Sequence, residues 1–387
     1  MDQLELSPIE WRSKASVSRL APAHKRFMNL RVIPLLGVVA LAAGVPSLRA
    51  QEAAVSPAPA SAPSFAEFDF SYVVRVPPPE NSRKVRVWVP LPSSDQYQTI
   101  SQLDLTGPVK VQLHRETKYG DRYGYFEVDS SKVKAGFSIR LAFHVIRSER
   151  RANLAASGSS QKSFPKTVEP FLEADDLVPT GGLIQTLARE QTRGLTDPVQ
   201  KARKIYDYVI SAMSQDARDA GAGRGDALWA ADSHRGDCTD FHSLFIAMAR
   251  AAGIPARFAI GFSLPDGQEK GTVSGYRSWA EFYVTGHGWI PVDLWQAAQD
   301  PSRRDYFFGG LDAHRVLISL GRDVALAPFP QAGRLNYIAY PYFEADGKPS
   351  PVASMDFFFN VSGLQSPPTI FRKLIFASTF DGHRVAS

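Results

Sequence analysis

The amino-acid sequence predicts an α+β protein in which an N-terminal antiparallel β-sandwich precedes a core of helices packed on an antiparallel sheet. Short alternating strand patterns separated by turn residues run from residue 65 to about residue 150. Two amphipathic helical patterns follow, and a buried strand and a β-hairpin come after them. Helical and strand patterns are thus segregated along the chain, which is typical of the α+β class.

Pattern and composition divide the chain into seven segments. We interpret them as a signal peptide (1–50), a disordered spacer (51–64), the β-sandwich domain (65–150), a linker (151–180), the core (181–300), a C-terminal extension (301–360) and an unpatterned tail (361–387). Met28 opens a more typical signal, so residues 1–27 are either a misassigned start or an extended basic region. An uncleaved membrane anchor is the alternative, although an apolar run of about 14 residues is short for a membrane span.

Charge is concentrated in the leader. The formal net charge is +5, and residues 1–50 carry four of those five charges, so the rest of the chain is nearly neutral. A nearly neutral body does not suggest nucleic-acid binding. We expect an exported protein, periplasmic or secreted, that meets a membrane only through its leader if the leader is not cleaved.

Cys238 is the only cysteine, so no intrachain disulfide can form. A lone thiol is either a candidate nucleophile or a small buried hydrophobe. Cys238 follows Gly236 and Asp237 at the first turn of a predicted helix, whose buried face ends at Gly253. The unpaired N–H groups and positive dipole end of a helix favour a thiolate, and this position predicts a nucleophile.

A hairpin is predicted downstream of this helix. Its strands are "SWAEFYV" and "WIPVD", and Gly286–Gly288 is the turn between them. Asp293 closes the second strand, and Arg277 lies two residues before the tryptophan of the first.

These pieces together resemble the transglutaminase-like superfamily of papain-related cysteine enzymes. The resemblance is carried by "GDCTDFHSLFIAMARAAGIPAR" and "WAEFYVTGHGWIPVD". The runs "RVWVPLP", "KYGDR" and "YFFGGLDAHRVLISLGRD" extend it over roughly residues 65–345 and are similar to bacterial exported members. The resemblance implies a papain-like core and a Cys-His-Asp triad, in which cysteine attacks an amide carbonyl, histidine moves protons and aspartate orients the imidazole.

The resemblance assigns Cys238 as nucleophile and Asp293 as the orienting carboxylate, and it expects histidine where this chain has Arg277. Ser278, beside it, also departs from the small apolar residue or cysteine that is expected. Arginine cannot accept and return a proton near neutral pH, so turnover would fall by about 10²–10⁴-fold. Arg277 could still pair with Asp293 and hold Cys238 as a thiolate.

Other side chains are weaker candidates. His242 lies one helical turn after Cys238, His234 precedes the helix in a loop, and His287 sits at the hairpin tip; we expect none of them to replace the missing histidine. Trp229 is more simply a packed side chain than an oxyanion donor. Asp237 and Asp240 flank the cysteine without metal-ligand spacing, and we expect no metal and no cofactor.

Two functions follow from the sequence. The first is cysteine-dependent acyl transfer on a protein or peptide amide, as a protease or amidase rather than a crosslinking enzyme, impaired by Arg277. The alternative is a binding or scaffold protein that keeps the fold without catalysis. A drifting gene or a sequence error at Arg277 is a third possibility, and fold resemblance alone cannot choose among the three.

Overall fold

The structure is a computed structural model that describes residues 63–79, 81–154, 164–350 and 354–363. The predicted signal peptide, most of the spacer, the middle of the linker and most of the tail lie outside these ranges. All described residues belong to one unit, Ala62–Ser387. None of the helices within these ranges has both the length and the apolar character needed to cross a bilayer.

The N-terminal half of the described chain is built from strands. In chain order they are β1 Phe65–Val76, β2 Lys84–Leu91, β3 Gln98–Thr106, β4 Gln112–Arg115, β5 Arg122–Asp129, β6 Phe137–Ser148 and β7 Arg150–Arg151. Side chains alternate along β1, where Phe68, Phe70, Tyr72 and Val74 are buried and their neighbours face outward. The predicted alternation is therefore seen in β1, and the predicted strands of the N-terminal half are confirmed.

Helices dominate the next segment and strands follow them. The elements are α1 Gly182–Gln191, α2 Pro198–Ala212, β8 Ser214–Gln215, α3 Ala227–Ser233, β9 Arg235–Gly236, α4 Cys238–Ala251, β10 Ala256–Ser263, β11 Lys270–Val273, β12 Arg277–Val284, β13 Gly288–Val292 and α5 Leu294–Gln299. The described chain ends with β14 Gly310–Leu311, β15 Arg315–Leu320, β16 Tyr342–Ala345, β17 Lys348–Pro349 and β18 Ser354–Gly363.

Two five-stranded sheets form the sandwich. One has the strand order β11-β18-β1-β6-β3 and the other β17-β16-β2-β5-β4, with antiparallel pairing in both. Strands β16 to β18 come from the segment predicted as a C-terminal extension and tail, and β11 comes from the predicted core. The sequence prediction missed this return, because pairing between strands far apart in the chain leaves no local pattern.

The core sheet has the order β13-β12-β10-β15, and α4 packs on its central strands. Along α4 the apolar residues face the sheet and the surrounding helices; Phe241, Leu244, Phe245 and Met248 are buried in one cluster with Ala280 and Phe282 of β12. Gly253 ends the helix with φ 79°, which a glycine adopts without strain. This packing places the N-terminus of α4, and Cys238, at the start of β12.

Candidate active site

Cys238 is held at the first position of α4 by a capping box. Asp237 accepts a hydrogen bond from the Thr239 N–H at 2.7 Å, and Asp240 accepts from the Asp237 N–H at 2.9 Å. Asp240 also accepts the N–H groups of Gly223 and Gly225, both at 2.8 Å, so it ties the preceding loop to the helix. The structure therefore places Cys238 at a helix N-terminus, as the sequence predicts.

The sulfur is nevertheless poorly placed to ionise. Cys238 is 3% exposed, and burial raises the pKa of its thiol to about 12. The Asp237 carboxylate adds to the rise in pKa, while hydrogen bonds from Ser278 and the charge of Arg277 oppose it. Desolvation thus outweighs the favourable helix end. This differs from the expectation of a thiolate, which considered the helix dipole without the burial.

Arg277 begins β12 and is half-buried. Its Nη1 donates to the carbonyl oxygen of Tyr276 at 3.1 Å. Within the described residues, Arg277 forms no ion pair with Asp293. The suggested Arg277–Asp293 pair is therefore absent from this structure, although the charge of Arg277 is close enough to act on the Cys238 thiol.

Asp293 pairs with another arginine. Arg315, on β15 at the opposite edge of the core sheet from β13, donates from Nη1 to Oδ2 of Asp293 at 3.0 Å, and both side chains are buried. Asp293 also caps α5 by accepting the Gln296 N–H at 3.0 Å. The carboxylate that the motif assigns as the orienting group is thus engaged by a buried cation that the sequence prediction did not single out.

His242 is the imidazole nearest to both candidate residues. It is fully buried; its Nε2 accepts the Leu294 N–H at 3.0 Å and lies 3.7 Å from Oδ1 of Asp293. Its Nδ1 hydrogen-bonds the carbonyl oxygen of Cys238 and lies 3.1 Å from Oγ of Ser278. Burial lowers the pKa of His242, so the ring is neutral.

These partners fix the proton of His242 on Nδ1. Because Nε2 accepts from an amide, it has no proton, and Nδ1 must be the donor. His242 therefore donates toward Cys238 and Ser278 and has no free lone pair for the proton of the thiol. Spacing along the helix brings His242 near the cysteine, as the sequence suggested, but only the structure shows which way each hydrogen bond runs.

Three tyrosines that the sequence analysis did not select pack against the cluster that contains Cys238. Tyr276 donates its N–H to the Tyr340 hydroxyl at 2.8 Å, and its own hydroxyl lies 3.2 Å from that of Tyr337. Tyr337 donates to the carbonyl oxygen of Gly223 at 2.7 Å. Burial raises the pKa of all three hydroxyls, and the charge of a Cys238 thiolate raises each of them further.

The remaining candidates lie elsewhere. His234 ends α3 in the left-handed conformation with φ 56°, and His287 lies in the hairpin turn. Trp229 packs directly on Gly221, where an added Cβ would come within 2.3 Å of the indole ring. This contact agrees with the expected packing role. Among the described residues, no group of three or more His, Cys, Asp or Glu side chains is arranged to hold a metal ion.

A cysteine at the start of a helix, packed on an antiparallel sheet with a carboxylate after its hairpin, defines the class of papain-like cysteine-enzyme folds. Residues 185–294 match the family model of the transglutaminase-like superfamily. The predicted resemblance and fold class are both confirmed.

Three comparisons define the relationship more closely. A relative from Haemophilus influenzae, described as an uncharacterized protein, is 28% identical over 322 residues, 73% of this chain and 86% of the relative. The protein YebA of Bacillus subtilis, also described as uncharacterized, is 23% identical over 147 residues, 34% of this chain and 20% of YebA. A crystal structure from Cytophaga hutchinsonii, named a "Putative Cysteine Protease", has a TM-score of 0.57 and 16% identity, and the match covers 79% of this chain and 93% of that one. At this identity the crystal structure establishes the fold alone.

Proposed function

We propose that this protein is a non-catalytic binding or scaffold protein built on a transglutaminase-like domain. One observation carries the proposal: neither His242 nor Arg277, the two candidate proton carriers near Cys238, is placed to take a proton from the thiol and return it. His242 is held as a neutral donor by the Leu294 N–H, and Arg277 stays protonated. The high pKa of the buried thiol and its tyrosine neighbours support the same conclusion.

Impaired acyl transfer on a protein or peptide amide is the second candidate, as a protease or amidase rather than a crosslinking enzyme. It is favoured by the position of Cys238 at a capped helix N-terminus and by the hydrogen bonds from Ser278, which lower the thiol pKa. In this candidate Cys238 is the nucleophile, Asp293 the orienting carboxylate and Arg277 the fixed charge in place of the histidine.

The two candidates differ in thiol reactivity and turnover. Iodoacetamide alkylation of the single thiol is measured from pH 6 to 10 on the folded and the urea-unfolded chain, beside hydrolysis of a generic peptide amide. We expect the folded chain to react far more slowly than the unfolded chain at every pH, because burial disfavours the thiolate. We expect no hydrolysis above the level of Cys238→Ala.

Arg277→His tests whether the proton carrier is the missing part, and Arg193→His, at an exposed position, is the matched control. We expect hydrolysis to appear in Arg277→His alone and to disappear when Cys238→Ala is added, since general acid–base catalysis contributes about 10²–10⁴-fold. Hydrolysis by the parent protein that is lost in Cys238→Ala would contradict the proposal and support acyl transfer.

We also propose that the protein is exported through its leader. The basic region, the apolar run and the site after Ala50 motivate this proposal. Fractionation of cells that produce the full chain should recover a periplasmic or secreted product whose N-terminus is Gln51. A product found in the cytoplasm with an intact leader would contradict export.

A further inference from the structure

A second candidate site lies on the face of the core sheet opposite Cys238. Ala280 and Phe282 of β12 pack with α4, so Glu281, between them, faces the other side. There the loops of the β-sandwich meet β10, β12, β13 and β15 around a cavity of about 310 Å³. We call it the junction cavity; Arg115, Asp121, Arg150, Arg257, Glu281 and Trp289 are among its lining residues.

Charged side chains line the junction cavity, and its carboxylates already have partners. Three guanidiniums line it, and the carboxylates on its walls are those of Asp95, Asp121 and Glu281. Glu281 is buried between Arg150 and Arg257, and the Nη2 of Arg257 lies 2.6 Å from its Oε2. Asp95 accepts the N–H groups of Tyr97 and Gln98, so it is already engaged in its own turn.

Asp121 is the third carboxylate on the wall of the junction cavity. Its two oxygens accept the Leu320 N–H at 3.0 Å, and burial raises the pKa of its carboxyl to about 8. Glu116 raises this pKa further, whereas the Leu320 hydrogen bond and the charges of Arg257 and Arg115 lower it. Asp121 therefore keeps its proton to a higher pH than an ordinary aspartate, which lessens the negative charge on the cavity wall.

Two of the guanidiniums have nitrogen atoms that form no hydrogen bond with another described residue. Arg257 contacts Glu281 through Nε and Nη2, and its Nη1 has no hydrogen-bond partner among the described residues. Arg115 donates from Nη1 to the Gly120 carbonyl oxygen, and its Nη2 likewise has no partner within that part of the chain. The Trp289 ring lies 4.1 Å from the guanidinium carbon of Arg257 and fixes its plane. Arg115 and Arg257 both line the junction cavity, so their guanidiniums border the same space.

We propose that the junction cavity binds a carboxylate, with Arg115 and Arg257 donating to its oxygens and Asp121 beside it. Planar guanidiniums with free donors match a carboxylate better than a neutral amide. The volume, near the lower limit for small-ligand sites, suits an acidic side chain or the end of a peptide. This inference goes beyond the proposed function and is independent of Cys238, which lies across the sheet.

Calorimetric titration of the full chain tests the proposal with three probes. N-Acetylglycine represents a terminal carboxylate, N-acetyl-L-glutamic acid α-amide represents an acidic side chain, and N-acetylglycinamide is the neutral control. We expect at least one carboxylate to bind and the neutral amide to bind at least about 10-fold more weakly. Binding of the terminal or of the side-chain carboxylate then identifies the source of the ligand. Equal binding of the amide, or no binding of either carboxylate, would overturn the proposal.

Arg115→Met and Arg122→Met form a matched pair, because these two arginines face each other across β4 and β5 and only Arg115 lines the cavity. We expect carboxylate binding to weaken about 10-fold in Arg115→Met and less than about 3-fold in Arg122→Met. An equal loss in both variants would mean that general surface charge, and not the cavity, attracts the probe. Cys238→Ala should leave binding unchanged, which separates this test from that of the proposed function.

The same site makes binding depend on pH. Above about pH 8, Asp121 loses its proton and adds a negative charge beside the ligand, so affinity should fall between pH 7 and 9 in the parent. Asp121→Asn can still accept the Leu320 N–H but cannot ionise, and its affinity should not change over this range. A parent whose affinity is constant from pH 7 to 9, or the same fall in Asp121→Asn, would contradict the role of Asp121.

Discussion

At the scale of single residues, the direction of hydrogen bonds decides what Cys238 can do. The Leu294 N–H donates to His242, His242 donates toward Ser278, and Ser278 in turn hydrogen-bonds the sulfur. Donors in this series all point toward the thiol, so the series stabilises a negative sulfur but removes no proton from it. A histidine at position 277 would stand outside this series and would be free to exchange protons.

His242 is expected to act as a structural residue. His242→Phe would leave the buried Leu294 N–H without its acceptor and remove the side-chain donor to the Cys238 carbonyl oxygen, at a cost of roughly 1–3 kcal/mol in the free energy of unfolding. His242→Gln, which can still place an acceptor near Leu294, should lose less. Urea unfolding of the three proteins measures the difference, and a Phe variant as stable as the parent would contradict this role.

The pH dependence of stability offers a further check on His242. Since burial lowers its pKa below the ordinary value near 6.5, the unfolded chain binds this proton more readily than the folded chain. The contribution of His242 is therefore complete above about pH 6.5 and is lost as the pH falls below that value. The stability difference between the parent and His242→Phe should accordingly shrink on acidification.

At the scale of elements, local signals predicted those helices and strands that are specified by neighbouring residues. Asp197 followed by Pro198 marks the start of α2, and Asp197 does cap that helix. Gly253 marks the end of α4, and the Gly286–Gly288 turn separates β12 from β13. Each of these signals acts within a few residues, and a sequence displays such signals directly.

Contacts between distant elements could not be predicted from such local signals. The partner of Asp293 is Arg315 on β15, and the three tyrosines come from the position just before β12 and from the segment before β16. The motif supplied the identity of Cys238, Arg277 and Asp293, but the pKa of the thiol depends on how completely these elements bury it. Burial is the sum of many long-range contacts, and no spacing in the sequence reports it.

At the scale of the whole molecule, the sandwich and the core sheet share their hydrophobic packing. Phe262 and Val316, from β10 and β15 of the core sheet, belong to the same buried cluster as the inner faces of the sandwich. Tyr276 and Tyr340 pack against this cluster and also against the cluster around α4. We therefore expect the described unit to unfold in one cooperative transition.

Phe357 and Phe358 of β18 provide a matched test of this coupling. Phe357 is buried, with its ring 4.8 Å from that of Phe262 and 5.4 Å from that of Tyr340, whereas Phe358 is 42% exposed. Phe357→Ala should lower the free energy of unfolding by about 3–5 kcal/mol, and Phe358→Ala by less than about 1 kcal/mol. Two separate transitions in the Phe357 variant would show that sandwich and core unfold independently.

The pairing of β1 with β18 also constrains the order of biosynthesis. β1 is among the first described segments to leave the ribosome, and its partner β18 is the last. Until β18 arrives, one edge of β1 and part of the sandwich interior remain exposed, and such edges invite association between chains. Premature termination before Ser354 would thus leave a product without this strand. A nascent chain would depend on the synthesis of β18, or on a chaperone until then, to avoid aggregation.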